Sequence, residues 1–432
     1  MNAPVNDQST SRPFGSPALD RRTLLGIGGA VGLAALVGCS AAATADSASS
    51  GMSGSAASGD TELSAGTYTA TFGSSGGGGG PGGDSGGSQE LSGAYLVNGI
   101  AATIDGGTWA STTADQNVFL VVNGGSLTIT NATITKSGDS SNEEACNFYG
   151  LNSAILVVDD GSSATLTDCT ITTDADGANA VFAAASGVIA IDGITIRTSK
   201  DSSRGLDATY TGTVTAKDVD ITTAGAHCAC LATDRGNGTI TVTGESKLAS
   251  SGDGSPLVYS TGDISVTGAT GAATGAQTMV IEGKNKITVD SCTFSTSGTT
   301  GMMVYQSFSG DAADSDATAE KASLVIRDST ITSTTAKPMI YVTNTTCQIE
   351  VTSSKLTHTA STPLLSLAED RWGTSGSNGG HAVVTLTDCT VTGSLEAGAS
   401  SSATVTLMAS RLTGGTSGDV EVTKDTSSTW SH

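Results

Sequence analysis

The sequence is poor in charged and aromatic residues, and its marked apolar run is too short to cross a bilayer. Charged residues make up 14% of the 432 residues and aromatic residues 4%, whereas Gly occurs 57 times. This composition favours many short strands and turns over helices. The apolar run at 23–38 has sixteen residues, and a stable transmembrane helix needs about 20.

Basic residues are also scarce. The chain has 19 Lys and Arg against 41 Asp and Glu, a formal charge of −22. Residues 1–38 contain three Arg and two Asp, so the remaining chain carries −23. Nucleic acids and anionic lipids would repel a chain with this negative charge. The charge therefore excludes nucleic-acid binding and is typical of a secreted, soluble surface.

The cysteines do not predict a disulfide framework. Seven remain when Cys39 is set aside, and an odd number in an exported protein argues against complete pairing. We interpret them as small buried residues. Cys228 and Cys230 share one strand face, but His227 is expected to face the other way, so too few ligands are available for a metal site. The seven are Cys146, Cys169, Cys228, Cys230, Cys292, Cys347 and Cys389.

A six-residue phrase recurs along the chain. Its clearest copies are residues 166–171 (LTDCTI) and 386–391 (LTDCTV). The pattern is apolar, polar, turn-former, small or apolar, polar, apolar. Most copies start about 25 residues apart, and a fixed period without a helical pattern indicates a solenoid. The copies start at Ile104, Ile129, Leu166, Ile191, Ala216, Val242, Val266, Val289, Ile326, Val351, Leu386 and Leu407.

Each copy is interpreted as a bend between two short strands. We expect Leu166, Cys169 and Ile171 to point inward, with Asp168 in the bend because Asp tolerates left-handed backbone. One repeat cannot bury its apolar face, but stacked repeats can.

The pattern resembles the right-handed parallel β-helix of the pectate-lyase-like superfamily. This resemblance implies an all-β solenoid of about twelve coils, with the β-helix domain at 91–420 and a C-terminal tail at 421–432. Because that fold hosts lyases, hydrolases, adhesins and binding modules, it does not determine the function.

The N-terminal region resembles an export signal followed by a lipid attachment site. Arg21 and Arg22 precede the apolar run, as in a twin-arginine signal. Residues 36–39 (LVGC) resemble a bacterial lipobox, which implies cleavage after residue 38 and lipidation of Cys39. A diacylglyceryl group linked to Cys39 through a thioether would insert two acyl chains, which suffices for stable anchoring. Residues 39–90 are rich in Ser, Ala and Gly and are predicted to form a flexible tether, within which 67–72 alternates like a strand.

Three lengthened repeats and a polar strip are the candidate functional features. The insertions are at 136–149, 310–321 and 369–381, and they could wall a groove. Between residues 201 and 344, stacked repeats would align polar side chains about 4.8 Å apart. Such a strip could follow an extended glycan, or it could be a solvated row of ion pairs between Arg204 or Arg235 and Asp207 or Asp234. The candidate ligand-binding residues are Arg204, Asp207, His227, Asp234, Arg235, Glu282, Lys284, Tyr305 and Gln306.

Motifs of the enzymes that share this fold are missing. Polygalacturonase-like hydrolases carry N-T-D, D-D, G-H-G and R-I-K segments, and this chain offers only Asp159 and Asp160 as a D-D pair. The R-x-P-x-x-R motif of pectate-lyase-like enzymes does not occur. No catalytic residue is therefore predicted.

The sequence predicts a lipid-anchored cell-surface protein that binds a polysaccharide or surface glycan, or acts as an adhesin for a protein partner. Contact with the membrane is expected only through the lipid. The negative charge favours neutral glycans over acidic ones, unless Ca²⁺ ions bridge the protein and an acidic glycan. No cofactor is required by this prediction, and Ca²⁺ is a possible one. Two alternatives stand: a polysaccharide lyase or glycoside hydrolase using Asp207, Asp234 or Glu282 in the strip, and a structural surface spacer.

Overall fold

The computed structural model describes residues 62–73, 87–307 and 320–432. Cys39, Arg21, Arg22, the signal region 1–38, most of the tether and most of the insertion at 310–321 lie outside these ranges. Among the described residues, nearly all regular structure is β-strand, and α1 (Glu143–Tyr149) is the single α-helix. None of the described helical structure is long and apolar enough to span a membrane.

Successive strands join three long sheets in turn, so that a repeat adds one strand to each sheet. Every described pairing is parallel except the antiparallel pair β1–β2, which opens the first sheet. The first sheet, sheet A, contains β1 (Gly66–Thr71), β2 (Ser88–Asn98), β5 (Gln116–Val122), β8 (Ile155–Val158), β11 (Val181–Ala184), β14 (Leu206–Ala208), β17 (Leu231–Thr233), β20 (Val258–Ser260), β23 (Met279–Glu282), β26 (Met302–Tyr305), β29 (Ile340–Thr343), β32 (Leu365–Leu367), β35 (Leu395–Ala397) and β38 (Thr416–Ser417).

Two other long sheets run beside sheet A in the chain order. Sheet B contains β3 (Ala101–Asp105), β6 (Ser126–Thr130), β9 (Ser163–Thr167), β12 (Val188–Asp192), β15 (Thr213–Lys217), β18 (Thr239–Thr243), β21 (Asp263–Thr267), β24 (Lys286–Asp290), β27 (Ala322–Arg327), β30 (Thr345–Thr352), β33 (Gly380–Thr387), β36 (Ser402–Met408) and β39 (Asp419–Lys424). Sheet C contains β4 (Thr108–Ser111), β7 (Thr133–Ser137), β10 (Thr170–Asp174), β13 (Thr195–Thr198), β16 (Asp220–Thr223), β19 (Lys247–Ser250), β22 (Thr270–Ala273), β25 (Thr293–Thr296), β28 (Thr330–Ser333) and β31 (Lys355–Thr357). A short sheet D contains the three remaining strands, β34 (Thr390–Thr392), β37 (Arg411–Thr413) and β40 (Thr429–Ser431).

The recurring phrase forms one uninterrupted ladder in sheet B. Ile104 pairs with Ile129, Ile129 with Leu166, and the series continues without a slip to the pair Leu386–Leu407. A slip of one residue would turn every apolar side chain outward, so the buried face specifies this register. The predicted all-β class and period are confirmed, and the architecture is solenoid-like.

The bend inside the phrase has the predicted geometry. Asp168 has φ 51° and Asp388 has φ 52°, the left-handed region that Asp tolerates better than most side chains. Leu166 and Ile171 are fully buried and Cys169 is 2% exposed. The predicted inward positions are therefore confirmed, and the turn-former is explained by its backbone conformation.

The fourth residue of the phrase links consecutive repeats. The hydroxyl of Ser329 accepts a hydrogen bond from the backbone N–H of Cys292 (3.0 Å). Ser354 accepts one in the same way from the N–H of Ser329 (3.0 Å). A small polar residue at this position thus satisfies a buried donor of the preceding repeat, a requirement that a larger apolar residue would not meet.

The sheets extend beyond the predicted domain limits of 91 and 420. At the N-terminal end, β1 and the start of β2 fall in the region expected to be tether. At the C-terminal end, β39 and β40 occupy much of the expected tail at 421–432. Leu63 packs on the core at one end and Trp430 at the other, and covering the terminal repeats in this way keeps the apolar core from solvent.

Candidate functional site

The outward face of sheet A differs from the other outward faces because it is largely covered. Leu120, Leu156 and Phe182 lie on this face and are fully buried. Near its N-terminal end, α1 and Phe72 pack over it. Near its C-terminal end, Trp372 of the third insertion packs against the same face. Polar residues under these covers are removed from water, which strengthens their mutual electrostatic interactions.

Capping residues define both ends of helix α1. Asn142 Oδ1 accepts a hydrogen bond from the N–H of Ala145 (3.0 Å), and Gly150 ends the helix with φ 72°. An Asn N-cap and a left-handed Gly are the preferred residues at these positions. The helix places Asn147 beside Arg204 and Phe148 beside Arg235.

A buried charged cluster lies beneath α1. Arg204 Nε contacts Asp234 Oδ2 at 2.7 Å and Asp207 Oδ2 at 3.5 Å. Arg204 Nη1 donates to Asn147 Oδ1 (2.6 Å), and the Arg235 guanidinium lies 3.7 Å from the centroid of the Phe148 ring. These contacts connect the helix to β14 and to the segments that flank β14 and β17.

The two carboxyl groups of this cluster differ in how closely they contact Arg204. Burial raises the pKa of Asp207 well above its usual range, and the neighbouring Asp234 raises it further. Burial alone would lower the pKa of Arg204, but Asp234 and Asp207 hold that pKa above its usual value. The arrangement fits an ionised Asp234 paired with Arg204 beside a protonated Asp207.

A second buried cluster surrounds Glu282, which is 2% exposed. Tyr259 and Tyr305 donate their hydroxyl groups to Glu282 Oε2 at 2.5 and 2.6 Å. The hydroxyl of Ser307 donates to Oε1. The Tyr305 ring is 5.6 Å from the Trp372 ring, so this cluster also supports the third insertion.

An open cleft of about 380 Å³ lies beside the Glu282 cluster, at the edge where sheet C turns into sheet A. Met303 and Tyr341 supply its apolar and aromatic wall. Tyr341 Oη donates to Asp370 Oδ2 (2.9 Å), and burial together with Asp370 raises the pKa of Tyr341. The lining residues are Asp253, Gly254, Gly275, Ala276, Gln277, Gly298, Thr299, Thr300, Met303, Lys337, Pro338, Tyr341 and Asp370.

Gln277 is the least satisfied polar side chain of the cleft. It is 3% exposed, and its Nε2 donates to Thr300 Oγ1 (3.3 Å) and approaches Met303 Sδ (3.7 Å). Its Oε1 has no hydrogen-bond partner among the described residues. A buried amide oxygen left unpaired costs about 1–3 kcal/mol.

The predicted exposure of the strip is wrong, because its central residues are buried, whereas the ion pairing of Arg204 with Asp207 and Asp234 is confirmed. Arg204, Asp207 and Asp234 come together as an ion-pair cluster, with Arg235 beside them. Glu282 and Tyr305 form the second cluster. His227, Lys284 and Gln306 are half-buried and lie outside the strands. The six clustered residues are exposed by 7% or less, so a glycan could not run along them in this structure.

Sequence reasoning also missed Lys136, Gln277 and Asp370. Lys136 is fully buried, and its Nζ donates to backbone oxygens of Thr113 (3.1 Å), Gly138 (2.9 Å) and Ser137. Burial lowers the pKa of Lys136 to about 8. Its alternation with Ile134 along β7 was the signal that it points inward.

The seven described cysteines are free thiols and all are buried, as predicted. Burial raises the pKa of Cys228 and Cys230 to about 12, so neither is a ready thiolate ligand. The described ranges contain no group of three or more His, Cys, Asp or Glu side chains placed to hold a metal ion. A role for Ca²⁺ stays a prediction.

The chain matches no protein-family model, no curated protein and no solved structure. The function is therefore argued from the geometry of this molecule.

Proposed function

We propose that this protein is a right-handed parallel β-helix of about twelve coils that binds a carbohydrate in the cleft beside sheet A. Export is assigned to Arg21 and Arg22, and anchoring at the extracytoplasmic cell surface to a lipidated Cys39. The unbroken register from Ile104 to Leu407 supports the β-helix. The signal-like and lipobox-like segments support the location.

The observation that carries the binding proposal is the cleft itself. Its volume of about 380 Å³ lies toward the lower end of the range for small-ligand sites, roughly 300–1,000 Å³. One or two sugar units are of suitable size. A sugar ring presents apolar faces to Met303 and Tyr341 and hydroxyl groups to Asp370 and Gln277. The acidity of the body disfavours an acidic polymer.

Affinity electrophoresis of the purified protein tests this proposal. Gels containing different polysaccharides would be run with and without Ca²⁺, and one polymer is expected to retard migration. Tyr341→Ala should abolish retardation because it removes the aromatic wall. Met408→Ala, an exposed position on sheet B, is the control and should migrate like the parent. Retardation unaffected by Tyr341→Ala would rule out the cleft, and no retardation by any polymer would favour a protein-binding adhesin or a spacer.

A polysaccharide lyase or glycoside hydrolase is the second candidate. The observation in its favour is the adjacency of two buried carboxyl groups, Asp207 with its pKa raised by burial and Asp234 in contact with Arg204. Glycosidases divide acid and base roles between two such groups. However, Asp207 is fully buried and Asp234 is 5% exposed, so a substrate would reach them only after α1 moved. Turnover that Asp207→Asn abolishes would support this candidate, and no turnover on a broad glycan panel would contradict it.

The proposed anchor is tested separately. Cys39→Ser should move the protein from the membrane fraction to the soluble fraction, because the thiol that carries the lipid is lost. A variant that still pelleted with membranes would contradict anchoring at Cys39.

A further inference from the structure

The side chains that line the cleft offer mainly hydrogen-bond acceptors. Asp253 and Asp370 are carboxylates, and Gln277 contributes an amide oxygen. Lys337 is the single cationic residue in the described lining, and it is exposed at the rim. The nearby Arg371 lies over the Trp372 ring instead, 4.4 Å from its centroid. A ligand that donates hydrogen bonds and carries positive charge would complement such a lining.

Asp370 retains capacity for a ligand although it is already hydrogen-bonded. Its Oδ2 accepts from Tyr341, and its Oδ1 accepts from the backbone N–H of Arg371 (2.7 Å). A carboxylate has about four acceptor positions, so both oxygens can accept again. The existing bonds fix the orientation of the carboxylate at the cleft wall.

Gln277 is a second side chain of the lining with unused acceptor capacity. Gln277 is more than nine-tenths buried, yet its Oε1 has no hydrogen-bond partner among the described residues. Because this oxygen is itself covered, the amide must turn about its Cγ–Cδ bond to present it to the cleft. Thr300 can remain a partner after that turn, since a hydroxyl both donates and accepts.

We propose that the ligand of the cleft is a hexosamine unit with a free, protonated amino group. This inference rests on the proposed carbohydrate-binding function and narrows it. The ammonium group donates to Asp370 and Gln277, the ring packs on Tyr341 and Met303, and the acidic body of the protein attracts the charge.

Three tetrasaccharides that differ only at carbon 2 test the inference. They are β-1,4-linked chains of glucosamine, N-acetylglucosamine and glucose, titrated calorimetrically into the full-length protein. We expect the glucosamine chain to bind up to about fivefold more tightly than either of the others, since one half-exposed ion pair with Asp370 contributes up to about 1 kcal/mol. Added salt should reduce that advantage.

Variants separate the cleft from the general acidity of the protein. Asp370→Asn keeps an acceptor for Tyr341 but removes the charge, and it should lower glucosamine affinity about fivefold and so remove the preference for glucosamine over glucose. Lys337→Ala should raise glucosamine affinity, whereas Lys355→Ala, an equal charge change on sheet C, should not. Asp192→Asn on sheet B is the matched acidic control. An effect of Asp192→Asn equal to that of Asp370→Asn would overturn the assignment, because it would show non-specific attraction.

The outcomes distinguish the two proposals. Equal binding of all three tetrasaccharides, with loss on Tyr341→Ala, would overturn the hexosamine assignment and leave the carbohydrate site standing. Binding of none of the three, together with no retardation on the wider polysaccharide panel, would overturn both.

Discussion

Replacing Asp207 by Asn is expected to stabilise the protein, by an amount that grows with pH. Asp207 is fully buried, and its carboxyl faces Asp234, whose carboxylate pairs with Arg204 at 2.7 Å. Burial and Asp234 both raise the pKa of Asp207. Asn has nearly the same shape, offers an N–H where the protonated acid offers an O–H, and never ionises.

The sign and size follow from the two pKa values of Asp207. In the unfolded chain the group ionises near its usual value of 3.8, whereas the folded protein retains the proton to higher pH. Between these two values the unfolded state releases the proton and the folded state does not. The parent protein therefore loses about 1.4 kcal/mol of unfolding free energy per pH unit in this window. The Asn variant has no such loss, so its advantage is smallest below pH 4 and increases as pH rises.

Urea unfolding followed by circular dichroism at pH 4.5, 5.5 and 6.5 measures this difference. Between the first two pH values the advantage of Asp207→Asn should grow by about 1.4 kcal/mol. The other carboxylates are common to both proteins and cancel in the comparison. Asp192→Asn, an exposed residue beside Lys217, is the control and should show a nearly constant difference. A difference for Asp207→Asn that stayed flat or fell with pH would refute the protonated, buried state of this residue.

Three further perturbations probe other parts of the structure. Gly252→Ala would place Cβ 1.7 Å from the backbone oxygen of Gly225. We therefore expect the unfolding free energy to fall by about 3 kcal/mol and Tm to decrease. Gly73→Ala is the control and should leave Tm unchanged, because nothing lies within 4 Å of the added Cβ. Arg204→Met leaves its carboxylate partner buried and uncompensated, which should cost about 3–5 kcal/mol in urea unfolding, and a neutral effect would contradict the ion pair. The seven described thiols, typified by Cys230 with its pKa raised to about 12 by burial, should resist alkylation at pH 8 in the native protein and react once urea is added; rapid native labelling of any of them would show local opening.

The fold was predictable because the information that specifies it is local and repeated. In residues 166–171, the apolar alternation assigns faces and the Asp supplies the left-handed turn. Each copy at 104, 129, 191 and beyond obeys the same rule, and stacking then places the copies in one ladder. The pattern thus predicted strand faces, bends and register without any long-range information.

The character of sheet A was not predictable from the same pattern. Alternation places Asp207 on an outward face but does not say whether that face is covered. Its cover comes from α1, whose Asn147 is 57 residues away from Arg204 in sequence. The segment around Glu143 and Glu144 reads as a polar insertion, and its docking depends on caps and on Phe148 packing against Arg235.

The cleft was hidden for a similar reason. Gln277 and Asp370 are separated by almost a hundred residues, and they meet because a loop after sheet A folds back over Tyr341. Neither residue belongs to a recurring motif. A pattern with a fixed period cannot report contacts made by the segments that interrupt that period.

The antiparallel strand β1 has a mechanical consequence. Any tension applied from the N-terminal side reaches the six β1–β2 pairs before it reaches the parallel sheets. A pull across the strands would open these pairs one by one from Gly66, whereas a pull along them would load all six at once and meet greater resistance. Release of β1 would free the chain up to Ser88, about 75 Å of contour length. The segment released with β1 would then extend under load, and the parallel sheets would carry less of the tension.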